Sequence, residues 1–431
     1  MKISPARIAA FDILLRIERD SAYSSILLPE YEQSLERNDG SLCHEITLGV
    51  LRKKLHLDAV IDGLSSGRKL DIEVRVALWI GLYQLMELDR VPDHAAINDS
   101  VQLVARAKKS SAKGFVNAIL RSYQRQRFIP ETTDVTVGLA LETSHPFWLV
   151  ERWINQFGFK RTQELCVFNN QPANLAFRIY GEDREVKNQC DELVDSEIIK
   201  PSEFVNGCYL VKLIDKIPRS FFNNGNLQFQ DEGSQLVGQI TAAEGGNSVL
   251  DVCAAPGGKT LMLAASGAFT VAGDVYEQRV RLLSETVSKK ASGKIVVVKY
   301  DARQPLPFLN ETFDTVVVDA PCSGTGTIQH NPEIRYSISE IEIGELTSKQ
   351  LLILQNASEL VKIGGCLIYS TCSLEEDENE QICEKFINET DSFRQATPKV
   401  SKHFLTERGF ARTFPPKDEM GGFFTAVFER V

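Results

Sequence analysis

The 431-residue sequence has no apolar run near the roughly 20 residues that a membrane-spanning helix needs. Its first residues carry neither the basic block nor the apolar block of a secretory signal. A cytoplasmic protein without membrane association is therefore expected. Nine cysteines are an odd number and none forms a Cys-x-x-Cys pair, which excludes a disulfide framework and a zinc ribbon. His44, His56, His94, His145, His330 and His403 show no metal-ligand spacing, so no metal is expected. Internal repeats and low-complexity segments are also missing.

What is present is ordinary globular composition, 43% hydrophobic and 25% charged, in a length that suits two or three domains. The net charge of −10 argues against a nucleic-acid partner until it is divided along the chain. Residues 1–130 hold 19 Lys and Arg against 16 Asp and Glu, whereas the remainder holds 29 against 42. Within 102–127 there is no acid at all, only Arg106, Lys108, Lys109, Lys113, Arg121, Arg125 and Arg127. Phosphate contacts come from such patches whatever the total charge, although a solvated helix face has the same composition.

Hydrophobic spacing divides the chain into three. Residues 1–135 read as an all-α domain: Ile8, Phe11 and Leu15 repeat at helical spacing, 74–85 is an apolar stretch long enough for a buried helix, and Phe115, Val116, Ile119, Leu120 and Tyr123 form a stripe. Residues 136–235 read as a small α/β linking region. Strands are predicted at 174–180 and 208–213 around a helix at 186–194, and Trp148 and Trp153 as core anchors. Residues 236–431 read as an α/β domain of alternating strands and helices.

The chemistry of that last domain centres on residues 248–260, SVLDVCAAPGGKT, which read as strand, tight turn, helix. Two glycines allow close backbone approach, and a helix N-terminus offers unpaired N–H groups to a ligand. A phosphate-binding P-loop needs glycine where Cys253 stands, and Ala254-Ala255-Pro256 breaks the dinucleotide fingerprint. A turn opened by Asp251 and lined with small residues suits a ribose and an amino acid moiety, which points to S-adenosyl-L-methionine. Asp274, Asp301 and Asp319 follow the next three strand-like runs, so a parallel sheet would gather them on the same edge. Asp after a strand also makes turns and caps helices.

Two cysteine motifs fall on that edge, DAPCSGTG at 319–326 and YSTCS at 369–373. A thiol beside a methyl donor can serve pyrimidines: its thiolate adds to carbon 6, which makes carbon 5 nucleophilic. A buried structural cysteine is the bland reading of either alone.

CAAPGGKT, DAPCSGTG and YSTCS followed by Glu378-Asn379-Glu380 resemble the RNA cytosine-5 methyltransferases of the NOL1/NOP2/Sun family. KGFVNAILR at 113–121 and LGVLR at 48–52 resemble the NusB family of RNA-binding helical domains, and QDEGSQL at 230–236 belongs to the same likeness. The resemblance implies a NusB-like domain before a Rossmann-like methyltransferase domain, S-adenosyl-L-methionine as cofactor and 16S ribosomal RNA as substrate. It also implies Cys372 as nucleophile and Cys322 as the group assisting product release. Cys253, Ala254, Ala255, Pro256, Gly257, Gly258, Lys259, Asp274, Asp301 and Asp319 are implied for the cofactor, with Lys259 at the pocket floor. For RNA it favours Lys108, Lys109, Lys113, Arg121 and Arg125. A monomer is expected. Cys43, Cys166, Cys190, Cys208 and Cys383 are expected to pack, and 331–336 leaves the loop after Gly326 less defined. Two other functions compete: a non-catalytic RNA-binding assembly or antitermination factor, and a DNA cytosine-5 methyltransferase with Cys322 as nucleophile.

Overall fold

The computed structural model describes residues 3–20, 22–130, 132–180, 184–218, 221, 226–290 and 294–431. They form two compact units, one of Met1–Pro172 with Ile328–Ser337, the other of Ala173–Thr327 with Ile338–Val431.

The first unit is helical: α1 (Pro5–Asp20), α2 (Ser24–Glu32), α3 (Arg37–Ser65), α4 (Ile72–Glu87), α5 (Asp93–Arg106), α6 (Lys113–Arg125), α7 (Val135–Thr143), α8 (Phe147–Phe157) and α9 (Phe159–Asn169). A helix apolar on every side must be surrounded. Accordingly α4, with residues 76–83 all buried, packs against α1, α3, α5 and α6. Phe11 and Leu15 from α1 and Val116, Ile119, Leu120 and Tyr123 from α6 join the same core, as their spacing predicts. Trp153 is buried, but Trp148 is only partly so.

The expected linking region therefore divides, because α7 to α9 belong with the helical unit. Residues 328–337, expected within the α/β domain, also belong to it, for a polar reason. The Glu333 carboxylate accepts from Ser24 N at 2.6 Å and Ser24 Oγ at 3.0 Å at the start of α2. The fully buried Arg335 donates to the carbonyls of Thr143, Ser144 and Asn169 and to Asn170 Oδ1.

The second unit opens with an antiparallel sheet of β1 (Leu175–Ile179), β2 (Ile199–Pro201), β3 (Cys208–Val211) and β4 (Leu227–Phe229), ordered β2-β3-β1-β4. The helix α10 (Arg184–Asp195) covers it through Val186, Cys190 and Leu193. Asp231 then caps α11 (Glu232–Glu244), accepting from Gly233 N and Ser234 N.

The larger sheet contains β5 (Ser248–Asp251), β6 (Phe269–Asp274), β7 (Ile295–Lys299), β8 (Phe313–Asp319), β9 (Val361–Thr371), β10 (Phe393–Ala396), β11 (Ala411–Arg412) and β12 (Phe424–Arg430). Its order is β10-β12-β9-β8-β5-β6-β7, with β11 on β12. Strands β5 to β9 are parallel and β12 is antiparallel to β9. The chain runs outward from β5 to β7 and then returns to β8, so the strand order reverses beside β5. Open α/β sheets bind ligands at that point, at the C-terminal ends of the strands. Helices α12 (Gly258–Ala265), α13 (Glu277–Lys290), α14 (Glu340–Ser358) and α15 (Glu380–Glu389) complete the unit. The antiparallel strands β10 to β12 were not foreseen, since their place depends on pairing with distant β9.

Candidate active site

β5 ends at Asp251 and the chain turns through 252–257 into α12. Gly257 caps that helix at φ +107°, a conformation that side chains rarely adopt. The turn closes one wall of a pocket lined by Asp251, Cys253, Ala254, Ala255, Pro256, Gly258, Lys259 and Asp319, which the sequence singled out, with Asp251 as the residue that opens the turn. Gly257 is not among its lining residues. The opposite wall, Gln228, Phe229, Gln230 and Ser234, comes from the end of β4 and the start of α11 and was not expected as part of the site. The sequence signal was there in QDEGSQL, but nothing in it shows which turn it faces.

Asp251 is fully buried. Its Oδ2 accepts from Thr260 Oγ1 at 2.7 Å, whereas Oδ1 has no hydrogen-bond partner among the described residues. Burial, together with the Asp319 and Asp274 carboxylates, pushes its pKa up to about 7. Gln230 Oε1 is likewise buried without a partner there. Two buried acceptors on one pocket fit a ligand that brings N–H donors, since an unpaired buried acceptor is costly.

Lys259 Nζ donates to Asp319 Oδ2 at 2.7 Å, and Ser370 Oγ donates to Asp319 Oδ1 at 2.8 Å. The ammonium also lies 5.6 Å from the centre of the Phe423 ring. Burial works to lower the Lys259 pKa, but the Asp319 carboxylate outweighs it and the net shift is upward.

Asp274 ends β6, buried, with Oδ1 accepting from Val275 N, Oδ2 from Ala255 N, and Arg279 pairing at 3.2 Å. Like Gly257, Asp274 is not among the residues that line the pocket. Asp301, which follows β7, does not line it either, and the guanidinium of Arg303 grips both its oxygens, holding its pKa below the ordinary value.

The two cysteine loops leave β8 and β9 side by side. Cys322 Sγ lies 3.3 Å from Cys372 Sγ, and Cys372 N donates to Cys322 Sγ at 3.3 Å. Gly326 N donates to Cys372 O at 2.9 Å. A Cβ on Gly326 would lie 2.1 Å from Gly422 O, so only glycine permits the approach. The hydrogen bond with Cys372 and burial hold the Cys322 thiol well above the ordinary cysteine pKa. All nine cysteines are free thiols; Cys43, Cys166, Cys190, Cys208 and Cys383 are buried packing residues.

The basic residues of the helical unit lie at the end of α5 and along α6. Lys108, Arg121 and Arg125 are exposed, and Lys109 and Lys113 half-buried. Lys113, Arg121 and Arg125 recur at multiples of four along α6 and share a face. Lys109 pairs with Asp71 at 2.8 Å and Arg106 with Asp12. Among the described residues no group of His, Cys, Asp and Glu converges as a metal site, and no helix is long and apolar enough to cross a membrane.

Family profiles follow the same order of domains, although the ferredoxin-like one begins within the helical unit, before α8. The 16S rRNA methyltransferase RsmB/F profile matches residues 239–429, the NusB family profile 4–125, and the RsmF/B-like ferredoxin-like domain profile 145–210. The chain is 34% identical to the "Probable ribosomal RNA small subunit methyltransferase B" of Bacillus subtilis (strain 168), covering 91% of this chain and 90% of that one. It is 30% identical to the ribosomal RNA small subunit methyltransferase B of Pasteurella multocida (strain Pm70), over 99% and 96%. The crystal structure of PH0851 superposes with a TM-score of 0.85 at 26% identity, over the whole of both chains. A NusB-like domain, a ferredoxin-like sheet, a methyltransferase sheet and 34% identity over nine-tenths of the chain converge: the chain belongs to the 16S rRNA methyltransferase RsmB/F family.

Proposed function

We propose that the chain transfers a methyl group from S-adenosyl-L-methionine to carbon 5 of a cytosine in 16S ribosomal RNA, through a covalent bond between Cys372 and carbon 6 of the base. The observation that carries this reading is the pair of thiols 3.3 Å apart on the ligand edge of the sheet, next to the Lys259–Asp319 pair. When bound, S-adenosyl-L-methionine supplies the methyl group. Lys259 and the buried acceptors Asp251 and Gln230 are the groups that would hold its polar parts.

The Cys372 thiolate adds to carbon 6, and the ring electrons move toward carbon 5, which takes the methyl group. A base then removes the carbon-5 proton, the carbon–sulfur bond breaks, and the thiolate leaves. Cys322, held as a thiol, assists release. Asp319, oriented from both sides by Lys259 and Ser370, can accept from the exocyclic amine of cytosine. The base must leave its stack to reach these groups, so single-stranded or locally opened RNA is the substrate. The basic face of the helical unit would grip phosphates.

The test is methyl transfer from radiolabelled S-adenosyl-L-methionine to small-subunit RNA lacking its modifications. Wild type should label a cytosine. Cys372→Ala should lose activity by about 10³-fold or more, and Cys322→Ala should accumulate a denaturation-resistant protein–RNA adduct. An active Cys372→Ala beside an inactive, adduct-free Cys322→Ala would exchange the two roles. Absence of label from wild type on any RNA would favour a non-catalytic assembly factor.

A further inference from the structure

We propose that Glu378 is a positioning residue that fixes the two cysteine loops against each other, an inference that rests on the roles given above to Cys322 and Cys372. Glu378 closes a turn just before α15 and is fully buried. Its Oε1 accepts from Ser323 N at 2.9 Å and Gln350 Nε2 at 2.8 Å, while Oε2 accepts from Ser323 Oγ and Ser373 Oγ, both at 2.5 Å. An ionised carboxylate offers about four acceptor positions, and four donors occupy them.

The anchors bracket both sulfurs. Ser323 follows Cys322, and Gln350, held by the same carboxylate, also donates to Pro321 O on its other side at 2.9 Å. Ser373 follows Cys372, and the neighbouring Asn379 completes that side. Its Oδ1 accepts from Thr371 Oγ1 at 2.5 Å and its Nδ2 donates to Ser373 O at 2.9 Å. The residues before and after each cysteine are thus tied to a single short segment.

A buried carboxylate is costly unless its hydrogen bonds are complete, and a glutamine amide would turn N–H groups toward two of the donors. The arrangement spends that cost where two reactive loops meet. Burial drives the Glu378 carboxyl upward and the serine donors oppose it; its charge in turn helps keep Cys322 protonated. That favours the thiol form of Cys322, the form its proposed role requires.

The experiment compares the full-length wild type with Glu378→Gln, and with Ser323→Ala and Ser373→Ala, which each delete one anchor. Three quantities are read: the rate of Cys322–Cys372 disulfide formation with diamide, the affinity for S-adenosylhomocysteine by calorimetry, and methyl transfer. In the cross-linking assay two thiols lose two protons and two electrons, which reduce diamide to its hydrazine.

Glu378→Gln should cross-link about tenfold more slowly and lose about a hundredfold in kcat at similar KM for RNA, with cofactor affinity held within about twofold. The serine variants should fall between. Cross-linking at the wild-type rate with affinity intact overturns the proposal. If affinity is lost in Glu378→Gln, the serine variants decide, and wild-type cross-linking in both overturns it. Because cross-linking needs no RNA, it reports on Glu378 even if the wild type labels no cytosine.

Discussion

The two units place charge in opposite ways. The helical unit displays its basic residues: Arg121 and Arg125 lie in water, and the Arg106–Asp12 and Lys109–Asp71 pairs are at least partly exposed. Such exposed charges individually contribute little and are screened by salt. In the sheet unit the decisive titratable groups, Asp251, Lys259, Asp319 and Glu378, are largely withdrawn from solvent and each has a defined partner. The first arrangement acts by number and tolerates loss; the second acts by position and does not. Arg335 is the exception in the helical unit, buried on carbonyl groups, and its work is structural.

The sharpest way to break this contrast is Asp251→Asn. The folded pKa of about 7 lies above the ordinary 3.8, so the native state keeps a proton that the unfolded chain releases between those values. Wild-type stability should therefore fall as pH rises from about 4 to about 7, by on the order of a few kcal/mol from this group, and the asparagine variant should lack that part of the fall. Melting temperatures across that range read the difference; parallel profiles would mean that the position contributes no such linkage.

A smaller effect is expected from neutralising Lys108, Lys109 and Lys113 together. RNA affinity should drop about tenfold near 0.1 M salt and the logarithmic salt dependence should flatten by about two, with cofactor affinity unchanged. RNA binding that stays the same at every salt concentration would remove this face from the substrate interface.

The smallest effect sharpens the comparison from within the sheet unit. Asp314 accepts from Asn247 N, Ser248 N and Lys362 Nζ, and the Lys362 pairing above all lowers its pKa to about 2. That stability is present above about pH 4 and lost as pH falls toward 2. Asp314 is partly solvated, so the contribution should be only about 1 kcal/mol. Acid-induced melting of Asp314→Asn against wild type measures it.

Legibility in the sequence followed the range of the interaction. Strands β5 to β8 and the turn at 252–257 could be read because apolar runs, glycines and aspartates alternate locally. Cys322 and Cys372 could be read because their motifs follow strands. Gln230 could not be placed, because its approach to the turn depends on how α11 packs. Glu378 stood in a quoted motif, yet Ser323 lies 55 residues away in the chain. Asp301 shows the reverse: its place after a strand was legible, but Arg303, two residues on, engages the carboxylate. Residues 136–169 and 328–337 pack with the helical unit, and nothing local in the sequence shows what would receive them.

The order of the large sheet has a kinetic consequence. Helices α1 to α6 meet close relatives in the chain, whereas the site draws on Gln230, Asp251, Asp319, Cys372 and Phe423, and β12 must enter beside β9. Each parallel pairing closes a long loop before any contact offsets the lost entropy, which makes such sheets slow to form. Helical signal should therefore return early on refolding and ligand affinity late, leaving an interval in which the proposed phosphate-gripping face is formed and the cofactor pocket is not.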